Sequence, residues 1–366
     1  SNAAEAHPVS MLSLLHAKEN GCKVIVVDPR YTRTAAKSDQ YIRIRSGSDI
    51  PFLFGMLYHI FKNGWEDKKY INDRVYGMEE IRKEVMEKWT PAAVEEACGV
   101  PEAQVYQAAK TMAMNRPSTV VWCMGQTQHT IGNAMVRASC ILQLALGNVG
   151  KSGGGTNIFR GHDNVQGATD VGPNPDSLPG YYGLSAGSWK HYATVWGVDY
   201  DWIKGRYAPD MMEKSGTTVS RWVDAVLEKN DMIDQQTSVK GVFFWGHAPN
   251  SQTRGLDMKR AMNKLDLLVV VDPYPSATAA MAAMPAAEGD TVNQNRNVYL
   301  LPAATQFETC GSATASNRSL QWREKVIDPL FESVPDHVIM QAFADRLGFG
   351  QELSKNYKML NSKFAG

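Results

Sequence analysis

The chain has 366 residues with 38 basic and 38 acidic side chains, so its formal net charge is zero and its pI is near 7.1. Hydrophobic residues at 43% and charged residues at 21% suit a folded globular protein and exclude disorder. The balanced charge gives no electrostatic footprint for nucleic acid, and no apolar run approaches the ~18 residues that a membrane span needs.

The length allows two domains or one large α/β body. The first three residues, Ser1-Asn2-Ala3, read as a remnant of an expression tag and are set aside. Apolar periodicity then predicts a helix over residues 9–17, stopped by Asn20-Gly21, and a buried strand over 23–27 that ends in Asp28-Pro29. A second strand is expected over 41–45. Next, Ser46-Gly47-Ser48-Asp49-Ile50-Pro51 opens a helix, with Ser48 or Asp49 as N-cap. Helical patterns follow at 79–89 and 101–114, then a strand over 119–123, a glycine turn and a helix over about 131–146.

Residues 147–190 differ in kind. Glycine and proline crowd them, apolar periodicity is weak, and Arg160, His162, Asp163, Asn164, Gln166 and Asp170 fall among them, so a long loop lining a site is expected. Beyond it the pattern predicts a strand over 241–245, a helix over 254–263, strands over 267–271 and 298–301, and a final helix near 336–347. The polar run 306–322 reads as a loop, either covering a cofactor or simply solvated. The cysteines Cys22, Cys98, Cys123, Cys140 and Cys310 lie too far apart for a zinc site or a disulfide framework, and no metal ligand is expected among them.

An eleven-residue stretch recurs within the chain. Val26-Val27-Asp28-Pro29-Arg30-Tyr31-Thr32-Arg33-Thr34-Ala35-Ala36 matches Val270-Val271-Asp272-Pro273-Tyr274-Pro275-Ser276-Ala277-Thr278-Ala279-Ala280, with seven identities in eleven places. Upstream, Ala6-His7-Pro8-Val9-Ser10 corresponds to His247-Ala248-Pro249-Asn250-Ser251. Two β-loop-α-β units, each with a carboxylate at a strand's C-terminal end, follow from this. Ligands of open parallel sheets bind at that edge, where an acidic side chain meets a ribose or a purine. Two such units imply two nucleotide-like ligands, or one ligand with two such ends. The plainer alternative is that each aspartate caps its own loop. No G-x-G-x-x-G or P-loop motif follows either strand, which argues against ordinary dinucleotide or nucleoside triphosphate binding.

Two further runs carry chemistry. Met124-Gly125-Gln126-Thr127-Gln128-His129 follows a strand and lets the backbone approach a ligand. In Phe159-Arg160-Gly161-His162-Asp163-Asn164-Val165-Gln166-Gly167, Arg160 is suited to hold a small anion by a forked, charge-assisted pair, and His162 to share that ligand. The alternative has Arg160 stapling the loop through Asp163 or Asp170.

These runs, with Ser46-Gly47-Ser48-Asp49-Ile50 and Trp245-Gly246-His247-Ala248-Pro249-Asn250-Ser251, resemble the molybdopterin oxidoreductases over residues 4–350. Within that family the likeness is to the catalytic (alpha) subunit of tungsten- or molybdenum-dependent formate dehydrogenases of the periplasmic type. The resemblance implies an α/β fold of two αβα Rossmann-like units with parallel sheets, related by a pseudo-twofold, each holding one molybdopterin guanine dinucleotide. Residues 4–160 would form the first unit, and 161–366 the active-site loop followed by the second. Asp28, Arg30, Gly47, Asp49, Gly125, Thr127 and Gln128 would contact one cofactor, and Gly246, Asn250, Ser251, Asp272, Ser276 and Thr278 the other. Arg160 matches the arginine that orients formate, with His162 beside it. The implied reaction is oxidation of formate to carbon dioxide, or the reverse, at a tungsten or molybdenum bis(pterin) centre.

The family's [4Fe-4S] segment, its selenocysteine or cysteine metal ligand and its C-terminal barrel are not in this sequence. A central fragment, inactive alone, is therefore expected. The implied partners are an iron–sulfur beta subunit and a cytochrome, in the periplasm. Another pterin-dependent reductase, such as a nitrate reductase, and a non-catalytic nucleotide-binding module are the alternatives.

Overall fold

The computed structural model describes residues 1–172, 177–206, 221–228, 237–247, 249, 254–282, 284–285, 289 and 292–353. The chain divides into two compact units, one of residues 1–166 with 315–317 and one of 167–314 with 318–366.

The first unit is organised by the helix Asp49–Lys62. Phe52, Leu53, Met56, Leu57, Ile60 and Phe61 recur at helical spacing and are buried along it. They pack on the helices Met78–Lys88, Pro91–Cys98, Glu102–Met114 and Gly132–Ala145. Close approach to the helix Pro91–Cys98 depends on Gly55, where an added Cβ would lie 2.7 Å from Val94 Cγ1. Strands β1 (Ile25–Val27) and β2 (Gln40–Ile42) pair in parallel, as do β3 (Thr119–Trp122) and β4 (Gly155–Ile158).

The register of β3 against β4 is fixed from behind by two side-chain amides with no exposed surface. Gln143 Nε2 donates to the carbonyls of Ser118 and Gly155. Asn148 Nδ2 donates to Gln143 Oε1 and to Ser118 Oγ, both at 2.9 Å, and its Oδ1 accepts from Ser118 N. A buried amide is stable only when so satisfied, and its geometry then selects one register.

In the second unit β5 (Ser177–Leu178) and β6 (Tyr182–Gly183) form a small antiparallel pair. The main sheet is parallel, ordered β7 (Gly241–Trp245), β8 (Leu267–Asp272), β9 (Asn297–Pro302). Its central strand reads as a continuous apolar run because Leu268 through Val271 are all buried. The helix Gly255–Lys264 covers one face through Met258, Ala261 and Met262. Asp224 braces this region, accepting from Arg254 Nη2 at 2.5 Å and from Arg221 Nε at 2.8 Å. Those two guanidiniums hold its carboxyl down at about 2. Strands β10 (Gly311–Thr314) and β11 (Leu320–Arg323) form an antiparallel hairpin.

Most expected elements stand within two or three residues of their predicted bounds, but several points differ. The stretch 147–190 is not one loop: it holds β4, the helix Val165–Val171, β5, β6 and the helix Ala186–Trp196. The run 306–322 contains the hairpin strands. Glycine content hid β4, and the polar residues around and within this run hid β10 and β11. Ser48 occupies the N-cap position but does not cap: its hydroxyl donates back to the Arg45 carbonyl at 2.6 Å. The helices Lys68–Arg74 and Pro91–Cys98 were not expected. The second carries a readable signal, since Pro91 is its first residue and Thr90 Oγ1 accepts from Ala93 N.

The packing at Gly55 yields a double-mutant cycle. Gly55→Ala should destabilise the chain by about 1–3 kcal/mol, because the stiff β-branched Val94 cannot move aside. In the Val94→Ala background the same substitution should cost clearly less, as read by denaturant unfolding. Equal cost in both backgrounds would contradict the contact.

Candidate cofactor and anion sites

Within the first unit, β3 and β4 end together, with Trp122 opposite Ile158, and the chain leaves both strands at the same edge. After β3 comes the one-turn helix Met124–Thr127, where Gln128 N returns to the Met124 carbonyl at 2.7 Å. Gly125, Thr127 and Gln128 are exposed, and nothing lies within 4 Å of a Cβ placed on Gly125. Gln126 ties the turn down by accepting from the buried Ser139 hydroxyl at 3.0 Å. Gly132 lets the turn fold back: a Cβ there would stand 1.9 Å from the Thr127 carbonyl oxygen. After β4 the chain passes through Phe159 to Arg160. Gly161 brings that loop against the turn, with Met124 Sδ 3.6 Å from where its Cβ would be.

Arg160 is half-buried and held at several points. Its N–H donates to Ser316 Oγ at 3.0 Å, its carbonyl meets His7 Nε2 at 2.9 Å, and its Nη1 donates to Gln166 Oε1 at 3.3 Å. Sequence reasoning placed Gln166 only among the lining residues, and offered Asp163 or Asp170 as the staple. His7 and Ser316 it missed as partners of Arg160, because their contacts span more than 150 residues. His162 is exposed, with Nδ1 2.7 Å from the Asp163 carbonyl.

The repeat is structural as well as sequential. At the end of β1, Asp28 Oδ1 accepts from Arg30 N at 2.9 Å; at the end of β8, Asp272 Oδ1 accepts from Tyr274 N at 3.2 Å. Each aspartate therefore caps its own loop, as the plainer alternative holds, through one carboxylate oxygen. Oδ2 of each has no protein partner among the described residues. The matched threonines also do matched work. Thr34 Oγ1 accepts from Ala4 N at 2.9 Å, and Thr278 Oγ1 donates to the His247 carbonyl at 3.4 Å. Each anchors its loop to the segment that precedes the unit's helix.

The other predicted residues fall as follows. Arg30 is exposed and faces Glu5 at 3.7 Å. Gly47 and Gly246 adopt φ of +84° and +57°, which a side chain would strain. In the second unit Gly246 N donates to the Val271 carbonyl at 2.9 Å, Thr278 is fully buried, and Ser276 Oγ is buried without a partner. Asn250 and Ser251 lie outside the described residues. Among the described residues no three His, Cys, Asp or Glu side chains are grouped to hold a metal ion.

Comparison with known proteins assigns the fold. The molybdopterin oxidoreductase family model matches residues 1–346. The chain belongs to this family. It is 32% identical to the F420-dependent formate dehydrogenase alpha subunit of Methanocaldococcus jannaschii over 357 residues, covering 97% of this chain and 48% of that protein. To formate dehydrogenase H of Escherichia coli it is 30% identical over 350 residues, covering 95% and 44%. To the formate dehydrogenase alpha subunit of Megalodesulfovibrio gigas it is 30% identical, covering 95% and 42%. The chain thus spans about half the length of the curated relatives it matches. Among solved structures, acetylene hydratase from Pelobacter acetylenicus superposes with a TM-score of 0.68 at 19% identity, covering 95% of this chain and 46% of that one. That likeness establishes the shared α/β fold. Among the described residues no helix is long and apolar enough to cross a membrane.

One carboxylate of the first site is held at a cost. Asp49 begins the helix after the Gly47 turn, and burial pushes its carboxyl above the ordinary carboxylate value; its own backbone N–H and nearby His129 offset this in part. A group whose folded pKa is raised favours the folded state least when ionised, so its contribution worsens as pH rises from ~4 through the raised value. Asp49→Asn should therefore be more stable than the parent chain at pH 7, with the gap closing toward pH 4, as measured by unfolding at each pH. A gap that does not change with pH would contradict this.

Proposed function

We propose that this chain is the cofactor-holding centre of a formate dehydrogenase alpha subunit, and that Arg160 binds the formate carboxylate. The observation that carries the proposal is the fixing of Arg160 at the sheet edge beside the open Gly125 turn. A planar guanidinium offers paired N–H donors that match a carboxylate, and a positioned cation raises both affinity and orientation for so small a substrate. His162, two residues on, lies on the same loop and would border the same anion.

The residues present fit a pair of molybdopterin guanine dinucleotides. In the first unit, Gly47 and Gly125 leave the backbone open to close approach, Asp28 Oδ2 can accept from a guanine or ribose, and Asp49, Arg30, Thr127 and Gln128 supply polar contacts. In the second, the Ser276 hydroxyl is buried without a partner among the described residues, which leaves room for a polar neighbour, and Asp272 Oδ2, Gly246 and Thr278 belong to the same unit. A buried hydroxyl without a partner costs about 1–3 kcal/mol, which a cofactor phosphate or amide would relieve. Asn250 and Ser251 are assigned to the same cofactor by sequence. When bound, a tungsten or molybdenum bis(pterin) group would accept the two electrons that formate releases with a proton as it becomes carbon dioxide. The chain's own part is to bind and orient formate and to hold the cofactor ends. The electrons would then pass through a [4Fe-4S] cluster to an iron–sulfur beta subunit and a cytochrome, and a periplasmic location accords with the family resemblance.

The test uses the full-length, metal-loaded protein with an artificial electron acceptor. Formate oxidation is expected, and Arg160→Ala should lower kcat/KM by roughly a hundredfold or more, the scale for losing a positioned charged hydrogen-bond pair. Reduction of nitrate in place of formate oxidation would favour the other reductase reading. An Arg160→Ala protein as fast as wild type would return Arg160 to a structural role.

A further inference from the structure

We propose that Tyr31 is the stacking face for the purine base of the cofactor that the first unit holds. The inference rests on the reading of that unit as a guanine dinucleotide site. Tyr31 stands opposite Pro275 in the repeat, so the repeat does not single it out.

The turn that follows β1 sorts its residues by burial. Thr32 and Thr34 are buried and hold the backbone: Thr32 Oγ1 accepts from Ala35 N at 3.1 Å, and Thr34 Oγ1 accepts from Ala4 N at 2.9 Å. Arg30, Tyr31 and Arg33 are exposed beside them. Tyr31 is thus a large aromatic side chain, 64% exposed, on a backbone tied down by its neighbours.

Its ring is oriented all the same. Tyr31 meets Tyr41 edge to face, with centroids 5.0 Å apart and planes at 84°. Tyr41 lies in β2 opposite Val26, and its hydroxyl donates to the Asp28 carbonyl at 3.0 Å. One line of contacts therefore runs from the Asp28 peptide through Tyr41 to the Tyr31 ring. In an edge-to-face pair only one ring gives up a face, and it gives up one. Tyr31 keeps at least one face clear of Tyr41, in agreement with its exposure. The flanking guanidiniums, which stack readily on aromatic rings, do not cover that face. Arg30 and Arg33 both turn to Glu5, at 3.7 and 3.4 Å.

An oriented aromatic face in the same turn as a carboxylate with an unused oxygen suits a purine. Asp28 Oδ1 is occupied by Arg30 N, and Oδ2 is open to a base N–H. Guanine carries N–H donors at N1 and N2 along one edge, whereas N1 of adenine accepts, so a carboxylate discriminates between them. A stacking ring does not, because every base has a π-face. The two side chains divide the task. Asp28 chooses the base, and Tyr31 adds affinity for the base that is there. The second unit also exposes a tyrosine in this turn, Tyr274, but one place earlier in the repeat and touching no other ring among the described residues. The braced ring belongs to the first unit, and the proposal is confined to Tyr31.

The experiment compares wild type, Tyr31→Leu and Tyr31→Phe as full-length, metal-loaded proteins. Metal and guanine nucleotide still bound are counted after timed incubation below the unfolding midpoint, and the midpoint of each cofactor-free full-length protein is measured beside them. Tyr31→Leu should lose its cofactor roughly tenfold faster, the scale of one base–aromatic stack. Tyr31→Phe keeps the ring and should release within about twofold of the wild-type rate. The cofactor-free midpoints should stay close to wild type, because the side chain is largely exposed. Release from Tyr31→Leu at the wild-type rate would overturn the proposal. So would equally fast loss from Tyr31→Phe, which assigns the effect to the hydroxyl, or a matching fall in the cofactor-free midpoint, which assigns it to the fold. The underlying reading is checked on the same samples. Wild type that holds its metal without guanine nucleotide defeats the dinucleotide reading and Tyr31 with it; guanine nucleotide present, with unchanged release from Tyr31→Leu, defeats Tyr31 alone.

Discussion

Two buried side-chain amides, Gln143 and Asn148, determine where the first candidate site lies. They have no exposed surface, so each of their polar atoms must find a partner, and the partners they find are Ser118, Gly155 and each other. Those contacts lock β3 against β4 in one register. A slip of one residue would leave buried amides unsatisfied and would turn every side chain of β4 to the other face. Because the register holds, Trp122 and Ile158 end level. The Gly125 turn and Arg160 then leave the sheet at one edge, where ligands of parallel sheets bind.

Some locally unfavourable features lie at the proposed sites. Among the described residues His7 Nδ1 and Ser276 Oγ are buried without partners, the half-buried Asp49 has its carboxyl pushed up by desolvation, and Gly47 and Gly246 take backbone conformations that other residues avoid. Elsewhere in the second unit, the buried Asp224 is doubly paired with Arg221 and Arg254.

Much of this was legible in the sequence. The eleven-residue repeat pointed to two matched turns, and both the aspartate turns and the threonine anchors are present. Helices with strong apolar periodicity, above all Asp49–Lys62, were found close to their bounds, because burial of one face decides them. β4 escaped because Gly155, Thr156 and Asn157 carry no apolar alternation; its pairing is enforced from outside by Gln143. Gln166 was visible as a residue of a suspect loop, but its partner was not. His7 and Ser316 were silent, since a hydrogen bond to a distant backbone leaves no local pattern. The family motif pointed to Arg160 as a candidate, and only the fold reveals what holds it.

The central proposal is that each of the two units holds one guanine dinucleotide end of a pterin cofactor. Its most direct test is to purify the full-length protein with its cofactor, hydrolyse it in acid, and count the guanine nucleotide released for each metal atom. The account predicts two guanine nucleotides per metal. A single one, a different base, or none would contradict it, and would leave the repeat as a pair of self-capped turns without a shared ligand.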